Sequence, residues 1–328
     1  MLKVGVVGVG HLGQHHARIF NSIADCELVG IFDISIERSQ EIADKYNTRA
    51  FPTYEELLDH IDAIDISATT SYHYDLAKTA LEKGKHVFVE KPITATVEQG
   101  RELVALAGNR NLIIQVGHIE RFNPVVLEVE KEIDCPMFIE SHRLAPFNPR
   151  GTDVPVVFDL MIHDIDLILC FVNSPLVDIR ASGVGVLTPS VDIANARLEF
   201  ENGAIANVTS SRISMKRERK LRFFQKDAYI SMDFQGQKAS VLRKAEGLNQ
   251  ILPEILLGKT DFSPEDLVKM DQVDCSKPEK DALTRELESF VDAVTHHRAP
   301  IVSGVDGLRA LEVAMQIMDK INANLKML

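Results

Sequence analysis

Two residues in the segment FDLMIHDID have the types and spacing of a proton-transfer pair. Asp159 and His163 are four positions apart, so on an α-helix their side chains share one face. A carboxylate one turn before an imidazole fixes the tautomer of the ring and raises its basicity, as a general base requires. The alternatives are a purely structural pair, or Asp164 or Asp166 as the partner of the histidine.

A lysine at the end of an apolar strand is a second candidate. In GKHVFVEKPIT, the short buried strand Val87–Val89 is followed by Glu90, Lys91 and Pro92. Ligands of open parallel sheets bind outside the carboxyl ends of the strands, and a lysine there can stabilise a developing alkoxide while a hydride leaves. Pro92 fixes the backbone through a trans or a cis bond. The alternative interpretation is a solvent-facing lysine before a turn.

A glycine-rich loop lies near the N-terminus. GVGHLG places Gly8, Gly10 and Gly13 at Gly-x-Gly-x-x-Gly spacing, after the strand LKVGVVG and before a helix. The glycines allow a tight turn, close approach of the backbone to a pyrophosphate, and close packing of helix on strand. The start of the helix adds N–H groups and a positive dipole end. The loop therefore predicts a dinucleotide-binding site.

An acidic residue indicates which dinucleotide is preferred. Asp33 ends the second strand, ELVGIFD, where its carboxylate can accept hydrogen bonds from the adenosine ribose and repel a 2′-phosphate. NAD is therefore favoured over NADP. Arg38 keeps NADP as the alternative, because a guanidinium can pair with that phosphate.

The elements that position these residues follow two patterns. Up to about residue 121, near-continuous apolar strands alternate with amphipathic helices, as in a parallel sheet covered on both faces. Beyond that point a helix is predicted over Val154–Val172, followed by five strands with period-two alternation: VDIANARLEF, GAIANVTSSRIS, RKLRFFQ, AYISMDF and KASVLRK. Their short connections indicate an open, mostly antiparallel sheet. Two helices, at about 281–297 and 304–325, end the chain.

The predicted fold class is therefore α/β, with two domains. A Rossmann NAD-binding domain is expected over residues 1–121. An α+β domain with an open, mostly antiparallel sheet is expected over residues 122–328, for substrate binding and oligomerisation.

Composition excludes several functions. The 328 residues carry a net charge of −12, which argues against nucleic acid as a partner, because phosphate backbones need clustered Lys and Arg. The four scattered cysteines predict neither disulfides nor a metal site and fit a reducing compartment. No apolar run approaches the roughly 20 residues that cross a bilayer, and the N-terminus lacks the features of a signal peptide. We therefore expect a cytoplasmic protein with no membrane partner.

Several of these motifs together resemble those of the Gfo/Idh/MocA oxidoreductases, and the resemblance covers essentially the whole chain. It rests on the glycine loop, on KGKHVFVEKP (Lys83–Pro92) and on the Asp-x-x-x-His pair. It extends to ERFNP (Glu120–Pro124) and to SGVDGLRALEVA (Ser303–Ala314). The segment ATTSYH (Ala68–His73) departs from the family's ATPNxxH pattern at two positions.

The resemblance implies a set of site residues. Lys91, Asp159 and His163 would form the catalytic group, with His163 taking the hydroxyl proton while a hydride passes to C4 of the nicotinamide. The implied cofactor-binding residues are Gly8, Gly10, His11, Leu12, Gly13, Asp33, Thr69, His73, Glu90 and Lys91. No metal is expected.

The substrate is also suggested by resemblance. VGHIERFNPVV, SSRIS and DAYISMDF resemble the subgroup that oxidises nucleotide-sugars, in particular the UDP-N-acetylglucosamine 3-dehydrogenases. Those enzymes make a 3-keto sugar that an aminotransferase uses for lipid A-type glycans. The expected substrate-binding residues are Lys91, Arg121, Arg150, His163 and Arg212, with Arg143 as a further cation. Each arginine taken alone is equally typical of a surface salt bridge.

Other functions remain open at this point. The alternatives are a free-sugar or inositol dehydrogenase, a glycosidase that uses NAD without net redox change, and a non-catalytic regulator that senses NAD or a sugar. The open sheet predicts a homodimer or homotetramer formed through the C-terminal domain.

Overall fold

The computed structural model describes residues 1–148, 154–259, 261–263 and 267–326. The chain divides into two compact units. The first comprises Met1–Phe122 and Lys280–Met315, and the second comprises Asn123–Glu279 and Gln316–Leu328. The first break lies beside the expected domain boundary. Residues 280–315, which the sequence prediction places in the second domain, belong to the first unit.

The first unit is built on a six-stranded parallel sheet. Its strands are β1 (Leu2–Val7), β2 (Cys26–Phe32), β3 (Arg49–Ala50), β4 (Ala63–Ile66), β5 (His86–Glu90) and β6 (Ile114–Gly117). They are ordered β3-β2-β1-β4-β5-β6, and every pair is parallel. The order reverses direction between β1 and β4, which is where open parallel sheets bind ligands. The Rossmann prediction is confirmed.

Five helices connect these strands. They are α1 (Gly13–Phe20), α2 (Ile36–Tyr46), α3 (Tyr54–Asp59), α4 (Thr70–Glu82) and α5 (Val97–Arg110). Thr96 and Gln99 form a capping box that starts α5, which satisfies two otherwise unpaired N–H groups. Asn47 and Asn111 end α2 and α5 in the left-handed conformation, as a helix stop requires.

The second unit is built on an eight-stranded sheet. Its strands are β7 (Phe138–Leu144), β8 (Leu176–Val184), β9 (Ile193–Phe200), β10 (Ile205–Ser211), β11 (Glu218–Phe224), β12 (Ala228–Asp233), β13 (Lys238–Lys244) and β14 (Val268–Asp274). Their order is β14-β13-β12-β11-β7-β10-β9-β8. Only β7 and β10 pair in parallel. The five predicted strands correspond to β9–β13 and are confirmed, whereas β7, β8 and β14 were not predicted.

The helix predicted over Val154–Val172 is only partly regular. Val157–Met161 form a π-helical turn, and the α-helix α7 runs over Ile162–Val172; the unit also contains α6 (Pro124–Val129) and α8 (Leu248–Leu256). A π turn has i→i+5 hydrogen bonds. Because Asp159 lies in this turn, its four-residue spacing to His163 is not the regular α-helical spacing that the sequence prediction assumed.

The last two helices are α9 (Ala282–Thr295) and α10 (Gly304–Leu325), close to the predicted ranges. Leu287 and Phe290 of α9 are fully buried in one apolar cluster with Val4, Phe20 and Phe88. This shared core explains why residues 280–315 belong to the first unit. Within the described ranges, no helix has the length and apolarity to cross a membrane.

Candidate active site

The three glycines of the β1–α1 loop are in different surroundings. Gly8 has a φ of 84°, and a Cβ there would lie 2.7 Å from the backbone of Ala68. A Cβ on Gly13 would lie 1.9 Å from the carbonyl oxygen of Gly8. A Cβ on Gly10 would meet no described atom within 4 Å. Packing therefore explains Gly8 and Gly13, whereas Gly10 leaves open backbone of the kind that a pyrophosphate approaches.

A cavity of about 280 Å³ opens at the carboxyl ends of β1, β2 and β4. Four predicted cofactor residues line it: Gly8, Gly10, Asp33 and Thr69. Sequence reasoning missed its other walls, which include Ile34, Ser67 and Tyr72. Ile34 and Tyr72 are exposed apolar side chains, and an apolar residue directly after the acid was the available signal. Apolar walls with one carboxylate suit the base and ribose of adenosine.

Asp33 is held rigidly at the wall of this cavity. Its Oδ2 accepts a hydrogen bond from the Val9 N–H at 2.8 Å, and its Oδ1 accepts one from the Ser35 N–H at 3.0 Å. Arg38 donates from Nε to the Val9 carbonyl at 2.9 Å and from Nη1 to Glu41 at 2.7 Å. The guanidinium of Arg38 is therefore engaged by protein oxygen atoms.

Lys91 follows β5 directly and is half-buried. Its peptide bond to Pro92 is cis, and its N–H donates a hydrogen bond to Glu90 Oε2 at 3.2 Å. Burial raises the pKa of Glu90, and the neighbouring charges of His16 and Lys91 oppose that shift. Lys91 thus lies at the carboxyl edge of the parallel sheet, as predicted.

His73, which was predicted to bind the cofactor, contacts two backbone carbonyl groups. Its buried ring has Nδ1 at 2.9 Å from the Pro92 carbonyl oxygen and Nε2 at 3.0 Å from that of Ala68. Burial lowers the pKa of this histidine. The ring therefore braces the segment after Lys91 against the loop after β4. His11 and Leu12 are exposed in the glycine loop.

In the second unit, Asp159 lies beside an arginine that sequence reasoning did not connect to it. Asp159 Oδ2 is 3.8 Å from Arg212 Nη2, and the same nitrogen donates a hydrogen bond to the Val154 carbonyl. The Arg212 side chain is only 6% exposed. Arg212 was predicted as a substrate ligand, and the structure places its guanidinium beside Asp159. His163 is half-buried at the start of α7.

Arg143, the further candidate cation for the substrate, is buried in contact with Asp164. Its side chain is 3% exposed, and Nη2 lies 2.6 Å from Asp164 Oδ1. The Ser141 hydroxyl donates a hydrogen bond to Asp164 Oδ2 at 2.7 Å. Because Arg143 and Ser141 engage both oxygens of Asp164, this carboxylate is not a suitable partner for His163.

The remaining predicted arginines are in different situations. Arg121 belongs to the first unit, in the 3₁₀ turn Ile119–Phe122, with Nη2 3.9 Å from Asp306 Oδ1. Arg150 lies outside the described residues. Among the residues that are described, no group of three or more His, Cys, Asp and Glu could hold a metal ion.

Comparison with known proteins identifies the family. The family model of the NAD-binding Rossmann fold of the GFO_IDH_MocA oxidoreductases matches residues 2–118, and the model of their C-terminal alpha/beta domain matches residues 142–326. The chain is 36% identical to UDP-N-acetylglucosamine 3-dehydrogenase from Acidithiobacillus ferrooxidans, over 99% of both chains. A solved structure of that enzyme matches with a TM-score of 0.88 over 98% of both chains.

Inositol dehydrogenases are more distant. The scyllo-inositol 2-dehydrogenase (NAD(+)) of Bacillus subtilis is 25% identical, over 96% of this chain and 92% of that protein. The structure of apo scyllo-inositol dehydrogenase from Lactobacillus casei, at 20% identity, has a TM-score of 0.79 over 99% of this chain and 97% of the other, which shows a common fold. Two family models that together span most of the chain, and full-length identity to a family enzyme, establish that this protein belongs to the Gfo/Idh/MocA oxidoreductases.

Proposed function

We propose that the protein is an NAD-dependent dehydrogenase that oxidises C3 of a UDP-N-acetylhexosamine, in the first place UDP-N-acetylglucosamine, to a 3-keto sugar. The observation that carries this proposal is the 36% identity, over 99% of both chains, to an enzyme with that name. The 25% identity to an inositol dehydrogenase gives a polyol substrate weaker support.

The catalytic roles follow from the chemistry of the side chains. The imidazole of His163 accepts the proton of the sugar hydroxyl, and the Lys91 ammonium stabilises the negative charge that develops on that oxygen. NAD, when bound, supplies the hydride acceptor, C4 of the nicotinamide. Asp159 orients the imidazole, and Arg212, 3.8 Å from its Oδ2, holds this carboxylate in place.

The cofactor is NAD rather than NADP in this proposal. Asp33 is fixed at the cavity wall by two backbone N–H groups, where it can accept hydrogen bonds from the ribose. Arg38, which could have bound a 2′-phosphate, is engaged by Val9 and Glu41. The open backbone at Gly10 supports pyrophosphate binding at the start of α1,.

The diphosphate of the substrate needs cations. Arg121 and Arg150 are the proposed contacts, and the buried position of Arg212 supports an indirect role through Asp159. The proposal also includes a cytoplasmic homodimer or homotetramer, assembled through the sheet of the second unit, with neither nucleic acid nor membrane as a partner. The net charge of −12 supports the exclusion of nucleic acid,. The 3-keto product of the proposed enzyme would pass to an aminotransferase of lipid A-type glycan synthesis.

The test is a substrate panel with NAD and with NADP, followed by absorbance of the reduced cofactor. UDP-N-acetylglucosamine with NAD should give the highest kcat/KM, with an aminotransferase included to remove the 3-keto product. Preference for a free polyol would instead identify an inositol-type dehydrogenase. Glycoside cleavage without net NADH would identify a glycosidase, and binding of NAD without turnover of any substrate would identify a regulator.

A further inference from the structure

Four polar residues form a buried polar chain beneath the glycine loop: Asp65, Ser67, His16 and Glu90. Asp65 and His16 are fully buried. Asp65 lies in the middle of the sheet, paired in register with Val6 of β1 and with Phe88 of β5. A buried charge pair is rarely more stabilising than apolar residues of the same volume. Packing alone therefore does not explain why this strand contains a carboxylate.

One end of the buried polar chain reaches the cofactor cavity. His16 Nδ1 lies 2.7 Å from Asp65 Oδ2 and 3.1 Å from the Ser67 hydroxyl. The Ser67 hydroxyl donates to Asp65 Oδ1 at 2.9 Å and lines the cavity. A carboxylate oxygen that accepts a hydrogen bond at this distance requires the tautomer with a proton on Nδ1. The tautomer and orientation of the His16 ring are thereby fixed.

The other end reaches the backbone of Lys91. His16 Nε2 lies 3.5 Å from Glu90 Oε1 and has no hydrogen-bond partner among the described residues. Glu90 Oε2 accepts the N–H of Lys91. A Cβ on Gly117, which is opposite Glu90 on β6, would lie 2.8 Å from Glu90 Oε1. The Glu90 carboxylate is therefore confined between the imidazole, the β6 backbone and the lysine amide.

We propose that His16 and Asp65 are positioning residues, which hold the Glu90 carboxylate against the main chain of Lys91 and so fix the point from which that lysine reaches the reacting oxygen. This inference rests on the proposed function for the role of Lys91. The contacts themselves do not depend on the identity of the substrate. A shift of about 1 Å in a group that supports the chemistry can reduce the rate up to a hundredfold.

The charges along the buried polar chain agree with this role. Burial lowers the pKa of His16, but the charge and hydrogen bond of Asp65, together with the charge of Glu90, outweigh that effect and raise it. A protonated ring presents an Nε2–H to Glu90. The charged groups that face the ring are Asp65 of β4 and Glu90 of β5. Phe88 packs edge-on against the ring of His16, and Phe290 of α9 packs edge-on against Phe88.

Two substitutions of His16 test the roles of its two ring nitrogens separately. In His16→Asn the amide can replace Nδ1 and keep the contact with Asp65, but nothing replaces Nε2 beside Glu90. In His16→Gln the amide reaches the position of Nε2. We expect kcat to fall about tenfold in His16→Asn with an unchanged KM for NAD, and to recover in part in His16→Gln. His15→Asn is the same change at the neighbouring position, which lies outside the buried polar chain. It should leave kcat and the KM for NAD unchanged.

Two results of the kinetic experiment would overturn the inference. One is wild-type kcat in His16→Asn with the fold verified by its melting temperature. The other is a loss of NAD affinity equal to the loss of kcat, which would make His16 a cofactor-site or packing residue.

A second measurement needs neither substrate nor a His16 variant that folds. In protein labelled with ¹³C at histidine, Glu90→Gln should lower the pKa of His16, because a nearby anion is removed. An unchanged His16 titration would disprove the linkage. If the wild-type enzyme oxidises none of the sugars tested, the proposed function fails, while this titration still decides whether His16 and Glu90 are linked.

Discussion

Asp65 in the first unit and Asp164 in the second are both buried carboxylates that contact the sheet of their unit, but their contacts are arranged differently. In the second unit, Arg143 and Ser141 of β7 engage both oxygens of Asp164. We call the Arg143–Asp164 pair closed, because both oxygens of the carboxylate are engaged by one neighbouring strand. In the first unit, Asp65 pairs with a histidine whose other ring nitrogen faces Glu90, and Glu90 in turn accepts the backbone N–H of Lys91. The contacts of Asp164 are expected to contribute to stability, whereas contacts that continue to Lys91 can also fix the position of that residue. The predictions below test that distinction.

The largest expected effect follows from breaking the closed pair. Arg143→Ala leaves Asp164 buried without its cation, so the free energy of unfolding should fall by about 3–5 kcal/mol in urea denaturation. The double variant Arg143→Met with Asp164→Leu should be close to wild type, since it removes both charges. The KM for NAD should not change in folded Arg143→Ala, because the cofactor cavity lies in the first unit. A stable single variant would contradict the comparison.

Lys91→Ala tests the other side of the comparison. If Lys91 has the proposed role, loss of its charge beside the developing alkoxide should lower kcat by about 10²–10³-fold, while the melting temperature and NAD binding stay near wild type. Lys83→Ala, which removes a lysine at the end of α4 paired with Asp59, is the matched control and should keep full kcat. Near wild-type turnover of Lys91→Ala would remove the proposed mechanism.

Asp192 is a second buried carboxylate of the second unit whose two oxygens both accept hydrogen bonds from nearby residues. Burial alone would raise its pKa, but the Thr188 hydroxyl and the backbone N–H groups of residues 186–188 lower it to about 2. Asp192→Asn should cost about 1–3 kcal/mol of unfolding free energy. Because the folded-state pKa lies below the ordinary value, the Asp192 contribution is present above about pH 4 and is lost as the pH falls toward 2. The variant should therefore show a smaller loss of stability over that pH window than the wild type.

The smallest expected effect concerns cofactor choice. Asp33→Ala removes the acceptor for the ribose hydroxyls and should raise the KM for NAD about tenfold, while the ratio of kcat/KM for NAD over NADP declines. The free energy of unfolding should also fall, because the N–H of buried Val9 loses its acceptor,. An unchanged ratio of kcat/KM for NAD over NADP would mean that the adenosine ribose does not bind at Asp33.

Strands with a clear apolar alternation could be predicted from the sequence, whereas strands with a polar buried face or with few buried residues, such as β8, could not. β9–β13 alternate clearly, whereas the inward residues of β7 are Ile139, Ser141 and Arg143. Two of these are polar and are satisfied by Asp164, so the apolar signal is absent. β14 is an edge strand whose residues are nearly all exposed, and it therefore lacks the alternation produced by burial.

The candidate site divides in a similar way. The glycine loop, Asp33 and Lys91 could be recognised because each occupies a defined position at the end of a strand. The contacts of His16 with Asp65 and of Asp159 with Arg212 join residues about 50 positions apart, so no local pattern reports them. The π turn at Asp159 also could not be predicted, since the apolar period of the segment is typical of an ordinary helix. The aspartate in the otherwise apolar strand AIDI was the one clue to a buried polar chain.

The discontinuous first unit has a consequence for synthesis on the ribosome. Phe88 and its neighbours are covered by Leu287 and Phe290 of α9, which are separated from the first 122 residues by the 157 residues from 123 to 279. At about 5–20 residues per second, those residues take roughly 8–30 s to be translated. During that interval the nascent parallel sheet exposes the apolar surface on which α9 later packs. Early chaperone binding should therefore concentrate on this surface and end when α9 emerges.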